Sequence, residues 1–224
     1  MTDEDVRLAV YRAFAADGRA PAVDVLAAGL GIAADGVRSA LGRLADARHL
    51  VLDGDTVVMA HPFASVPLGF SVMGRRTLWW GGCAWDSFAL PHLLLDEPEV
   101  LVASRCPGCG RALSWVVGRD APPEGDEVAH FLVPTAHIWD DVVRTCGHQR
   151  LFCGQPCVDA WLDREGESRG YAMDLATLWR LASHWYDGRL TPGYTRRDPS
   201  TAAAYFRSVG LRGPFWGLAE EPAG

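Results

Sequence analysis

The chain lacks several things that would decide its class at once. None of its 224 residues belongs to a stretch long and apolar enough to cross a bilayer as a helix. The opening run MTDEDVRLAVYRAF is acidic and then amphipathic, without the basic region and apolar core of a secretory leader, which predicts a cytoplasmic protein. There is no excess of positive charge. Against 28 acidic residues stand 21 basic ones, a formal net charge of −7, which argues against a protein that coats nucleic acid through its phosphates. No internal repeat and no low-complexity tract is present. Length and an ordinary apolar fraction leave one large or two small globular domains. In a cytoplasmic setting the six cysteines are read as thiols or metal ligands rather than disulfides. Nine tryptophans suggest aromatic-walled pockets or broad packing faces.

The first part of the chain patterns as a module. Val6, Val10, Tyr11 and Phe14 share one face of a helix over 3–16. A short helix over 23–30 ends at Gly31. A third, with Asp35 as its expected cap, carries the stripe Val37, Leu41 and Leu44. Extended runs at 49–52 and 56–60 flank Asp53-Gly54-Asp55, a hairpin signal. Three helices and a hairpin predict a winged helix-turn-helix, with a domain boundary near residue 62. Such a module can bind DNA. Its third helix holds Arg38 and Arg43, with Arg48 just beyond, a thin phosphate-binding surface in an acidic chain, so a structural role is favoured over DNA. Residues 63–224 then read as a second domain. Short strands are expected at 70–73, 76–80, 100–104, 112–117 and 128–134, and helices at 158–163, 173–186 and 201–209. The tail is rich in aromatics. The fold class expected is α+β, a winged helix-turn-helix followed by a small mixed or antiparallel sheet with helices around a treble-clef-like core.

Two sets can be drawn from the cysteines. Cys106-Pro-Gly-Cys109-Gly forms a tight knuckle, and Cys153 and Cys157 recur at the start of a helix. Two close cysteine pairs supply the four soft, tetrahedral ligands that zinc prefers, and four thiolates close its coordination sphere, so a zinc ion held there would be structural. The alternative is four free thiols. The second set is Cys83, Asp86 and Cys146. Cys83 and Asp86 stand at i and i+3, on one face of a helical turn, with Trp79, Trp80 and Trp85 beside them. That places a soft nucleophile beside a proton carrier. It is also what an inert core cysteine next to a helix-capping aspartate looks like.

Here the chain resembles a known family. Gly82-Cys83-Ala84-Trp85-Asp86, running into a helix with Pro91, is similar to the first catalytic motif of the bacterial organomercurial (alkylmercury) lyases. Cys146-Gly147-His148, with Leu151-Phe152 and then Asp159-Ala160-Trp161-Leu162, resembles the region of that family's second catalytic cysteine. The resemblance covers roughly residues 1–165 and leaves Cys109, Cys153 and Cys157 unaccounted for. It implies that Cys83, as thiolate, attacks the mercury of an organomercurial and that Cys146 is the second thiolate on it. Asp86 would move a proton from a thiol to carbon as the carbon–mercury bond breaks. The products would be a hydrocarbon and a bis-thiolate Hg(II), passed on to small thiols or to a mercury-accepting protein. No cofactor is required for that chemistry. Two other readings stay open: a soft-metal (copper, zinc or mercury) binder on the same fold, and a metal-responsive regulator. Asp86 discriminates the first, because a chelator has no use for a proton shuttle.

Overall fold

Period-two burial organises the larger half of the molecule. The computed structural model describes residues 2–219. Three helices come first, α1 (Asp3–Asp17), α2 (Val23–Leu30) and α3 (Ala34–Asp46), then β1 (Val51–Asp53), β2 (Thr56–Ala60) and β3 (Phe63–Ala64). Strands β4 (Phe70–Met73) and β5 (Leu78–Gly81) lead into helix α4 (Ala84–Leu93), followed by the hairpin β6 (Glu99–Arg105) and β7 (Ala112–Gly118). These strands form one antiparallel sheet in the order β1-β2-β3-β5-β4-β6-β7. On β7, Leu113, Trp115 and Val117 are buried while Ala112, Ser114 and Val116 are exposed. β6 alternates the same way through Val100 and Val102. The sheet is therefore dry on one face and wet on the other. Helix α4, buried almost all round, lies on the dry face.

The second half completes the covering. β8 (Val128–Phe131), α5 (Val142–Gly147), β9 (Gln149–Phe152), α6 (Gln155–Glu165), β10 (Tyr171–Asp174), α7 (Leu175–Ser183) and α8 (Pro199–Ser208) follow. β10, β8 and β9 make a small antiparallel sheet, and α7 packs along α4. The architecture is mixed α+β with antiparallel sheets.

Several local expectations needed adjusting. Asp35 does not cap α3. Ala33 holds the cap position, and Asp35 sits inside the first turn, ion-paired to Arg38 at 2.8 Å. The helix expected over 173–186 is split, because Met173 and Asp174 pair with β8. The Asp174 carboxylate then accepts from the Thr177 N–H and starts α7. Strand β3 links the hairpin β1-β2 to the rest of the large sheet. α1 is tied to the far end of the chain through the buried Arg7, which donates to the Arg189 carbonyl at 2.7 Å and to the Thr191 carbonyl at 2.9 Å.

Candidate active site

The turn from β5 into α4 is built around contacts that leave no room for side chains. A Cβ on Gly81 would lie 2.0 Å from Ser87 Oγ, and one on Gly82 would lie 2.3 Å from Asp86 Oδ2. The chain can therefore fold the helix start directly back on the strand. Cys83 takes the N-cap position, and its sulfur accepts the Asp86 N–H at 3.4 Å, the place usually filled by a serine or aspartate oxygen. Ser87 Oγ donates to the Cys83 carbonyl at 2.7 Å. Asp86 is thereby held over the thiol, 1 % exposed.

Cys146 arrives from the other half. It ends the short helix α5, which starts at Asp141, whose carboxylate accepts from the Arg144 N–H at 2.9 Å. The Cys83 and Cys146 thiols line the same cavity, near enough for each to shift the other's pKa. Cys146 Sγ is also 3.4 Å from His61 Nε2. Ligand atoms of His61, Asp86 and Cys146 all fall within 4.8 Å of one another. The three residues expected from sequence thus meet in one buried place, and His61, read from sequence only as part of a connector, joins them.

The electrostatics of the pair oppose the simplest expectation. Cys83 sits at a helix N-terminus, where a thiolate is favoured. Burial, the hydrogen bond to Cys146 and the charge of Asp86 nonetheless push its pKa well up. Cys146 sits at a helix C-terminus, the wrong end for an anion, yet its pKa is lowered. The hydrogen bond from Cys83 lowers it most, burial opposes, and His61 adds to the lowering. His61 is desolvated, which would lower its pKa, but Asp86 and Cys146 outweigh that and raise it. The site thus favours the thiolate at Cys146 and the imidazolium at His61, and disfavours ionisation of Cys83.

Asp86 is clamped on one oxygen only. Tyr186 donates its hydroxyl to Asp86 Oδ1, while Oδ2 is buried without a partner. Burial and the neighbouring Asp86 push the Tyr186 pKa well up, so the phenol remains a donor. Behind it lies Arg189, 5 % exposed. Its guanidinium donates to the His61 carbonyl at 2.9 Å and to the Tyr11 and Tyr194 hydroxyls at 3.1 and 2.7 Å, and stacks 4.8 Å from the Tyr186 ring. Tyr186 and Arg189 lie beyond the part of the chain covered by the resemblance, and neither belongs to a motif. Only their position in space marks them.

The tryptophans divide by strand alternation. Trp79 points into the core and donates to the Phe14 carbonyl at 2.8 Å. Trp80 faces outward. Trp85 alone of the three lines the cavity, beside Trp185 at 4.8 Å between ring centres and together with Trp139. An apolar wall for an organic group is therefore built from three distant segments. His148 hydrogen-bonds the Arg144 carbonyl at 2.6 Å, and His137 pairs with Asp140 at 2.8 Å. His92 packs edge-on against Trp179.

Cys106, Cys109, Cys153 and Cys157 form a separate cluster, with all four sulfur atoms within 4.8 Å of one another. Burial works against ionising Cys106, but the N–H groups of Cys153, Cys109 and Gly108 aimed at its sulfur bring its pKa down to about 7.

Comparison with known proteins agrees with the geometry. A sequence profile described as "MerB: Alkylmercury lyase" matches residues 63–187, a span that holds Cys83, Asp86, Cys146 and Tyr186. No curated protein matches the chain. A solved structure described as the mercury-bound form of MerB2 superposes with a TM-score of 0.61 at 20% identity, over 83% of this chain and 91% of that one. At that identity it speaks for the fold.

Proposed function

Since this chain belongs to the alkylmercury lyase family and is thereby a carbon–mercury lyase, we propose that Cys146, Cys83 and Asp86 carry out the cleavage, in that order. The observation that carries the assignment is the Asp86 carboxylate, fixed through Oδ1 by Tyr186, with a buried, unpartnered Oδ2, in the cavity lined by both thiols and within 4.8 Å of Cys146. The Cys146 thiolate attacks the mercury of RHg⁺, because soft mercury prefers sulfur and Cys146 is the thiol whose ionisation the site favours. Mercury then draws in Cys83, whose proton passes to Asp86 Oδ2. Two thiolates push electron density onto the metal, the carbon–mercury bond breaks, and Asp86 returns the proton to carbon. The balance is RHg⁺ plus one thiolate and one thiol giving RH and a neutral Hg(II) bis-thiolate. Trp85, Trp139 and Trp185 enclose the organic group and keep water out.

The direct test is benzene release from phenylmercury by the purified protein in excess small thiol. Steady turnover is expected. Stoichiometric mercury uptake without benzene would make the protein a soft-metal binder instead.

His61 gives a pH prediction. It lowers the Cys146 pKa, so His61→Gln removes that help and Cys146 needs a higher pH to ionise. The acid limb of kcat/KM should move to higher pH, with the greatest loss on the acid side and recovery as the pH rises. An unmoved limb would show that the imidazole does not support the thiolate.

The remaining assignments belong to the same reading. Residues 1–62 are taken as a winged-helix module and 63–224 as the catalytic part, with the Cys106 knuckle and α6 as a treble-clef-like element. Two arginines of α3 that could face phosphates are already ion-paired, Arg38 to Asp35 and Asp55 and Arg43 to Asp3, which favours a structural module over a DNA-binding one. A cytoplasmic setting and product transfer to small thiols or an acceptor protein fit a reaction that ends with mercury on two protein sulfurs.

A further inference from the structure

The four cysteines outside the cavity are arranged for a task the lyase chemistry does not use. A tetrahedral metal with bonds of about 2.3 Å to sulfur holds its ligands roughly 3.8 Å apart. Here Cys109 and Cys153 stand 3.5 Å apart as free thiols, and the whole set lies within 4.8 Å. The backbone is shaped to bring the pairs together. A Cβ on Gly108 would lie 2.3 Å from the Cys157 carbonyl oxygen and 2.7 Å from Cys157 Cβ, so the tip of the knuckle rests directly on the first turn of α6. Gly110, at φ 77°, turns the chain back, and its N–H closes the knuckle onto the Cys106 carbonyl at 2.8 Å.

Charge supplies an independent indication. The chain has no lysine and is net acidic, yet arginines gather at the knuckle. Arg164 donates to the Pro107 carbonyl at 2.8 Å and Arg105 to the Gly110 carbonyl at 3.2 Å. Arg150, stacked 5.6 Å from the Phe70 ring, donates to the Arg105 carbonyl at 3.4 Å and keeps a buried Nε without a partner. A half-buried guanidinium with one N–H buried and unpartnered favours an anion beside it. Four neutral thiols provide none, whereas a divalent ion in four thiolates carries a net charge of −2.

We infer that Cys106, Cys109, Cys153 and Cys157 hold one structural zinc ion, whose negative tetrathiolate centre is balanced by Arg150 and its arginine neighbours. Four thiolates leave no open position, so the ion takes no part in cleavage. Its place in the fold defines its work. Cys106 and Cys109 lie in the turn between β6 and β7 of the large sheet. Cys153 and Cys157 flank the start of α6, just after β9, and β9 follows directly on the helix that carries Cys146. The ion clasps the two sheets together beside the strand that leads back to Cys146. This inference does not depend on the catalytic assignment.

The test is metal content. Full-length protein produced with zinc in the medium is expected to carry one zinc per chain, retained by Cys83→Ser and lost by Cys109→Ser and Cys157→Ser. Chelation should lower Tm, and added zinc should restore it. Cobalt(II) added to the stripped protein should give the thiolate charge-transfer and tetrahedral ligand-field bands of a four-sulfur site. Wild-type protein free of zinc, with all four thiols open to a thiol reagent, would overturn the inference without bearing on benzene release. So would iron or copper as the bound metal, or zinc that survives Cys109→Ser but not Cys146→Ser.

Discussion

Asp86→Asn should still capture an organomercurial but release its hydrocarbon about 10²–10⁴-fold more slowly, which is what a positioned proton carrier contributes. That loss corresponds to about 3–5 kcal/mol in the barrier. The substitution is nearly isosteric. The amide oxygen can still accept the Tyr186 hydroxyl, so the side chain should keep its place over Cys83. What disappears is the basic Oδ2, now an amide nitrogen that can neither take the Cys83 proton nor return it to carbon. Single-turnover experiments separate the two steps. Loading of mercury onto Cys146, monitored by loss of the first free thiol, should proceed as in the wild type, while benzene formation should not. Turnover within a few-fold of wild type would point to another proton source. His61, whose pKa its neighbours raise and which lies within 4.8 Å of both Asp86 and Cys146, would be the first to examine.

The two thiols should fail differently when each is replaced. With Cys83→Ser, the Cys146 thiolate remains, and one equivalent of phenylmercury should be captured rapidly. The product is a stable Cys146–Hg–phenyl adduct, visible as a mass increase of the intact protein, with no benzene. With Cys146→Ser, the remaining Cys83 is a buried thiol whose pKa burial and Asp86 hold well up, so capture itself should be slow at neutral pH and should accelerate as the pH rises. Both variants should lose turnover. Capture at neutral pH, read from stopped-flow thiol loss, should be faster in Cys83→Ser than in Cys146→Ser, following the thiolate present. Equal rates, or faster capture by Cys146→Ser, would put Cys83 first in the attack and reverse the order proposed above.

Much of the helical framework was legible because its period is local. The stripe Val37, Leu41 and Leu44 is buried on α3, and the faces of α1 and the alternating strands β4, β6 and β7 turn inward as their patterns require. The error at 173–186 is equally physical. Tyr171 to Asp174 have no strong local preference, and pairing with β8 outweighs the helical continuation that the downstream residues favour. Asp35 failed as a cap for a similar reason. Its carboxylate found Arg38 within the same helix, and the chain entered α3 through Ala33.

Cys83 and Asp86 were readable as a pair because one helical turn fixes their geometry, and the two cysteine pairs were readable because each is close in sequence, one in the β6–β7 turn and one across the start of α6. Motif order could name Cys146, but nothing local could bring it to Cys83, since the two arrive on α4 and α5 from different parts of the fold. Nor could sequence find His61, Tyr186 and Arg189, which meet through long-range packing across both halves of the chain. Which thiol ionises more readily was decided there as well. The end of a helix that a cysteine occupies is written in the sequence. The burial that raises Cys83, and the donors that lower Cys146, exist only once distant segments have closed around them and excluded water.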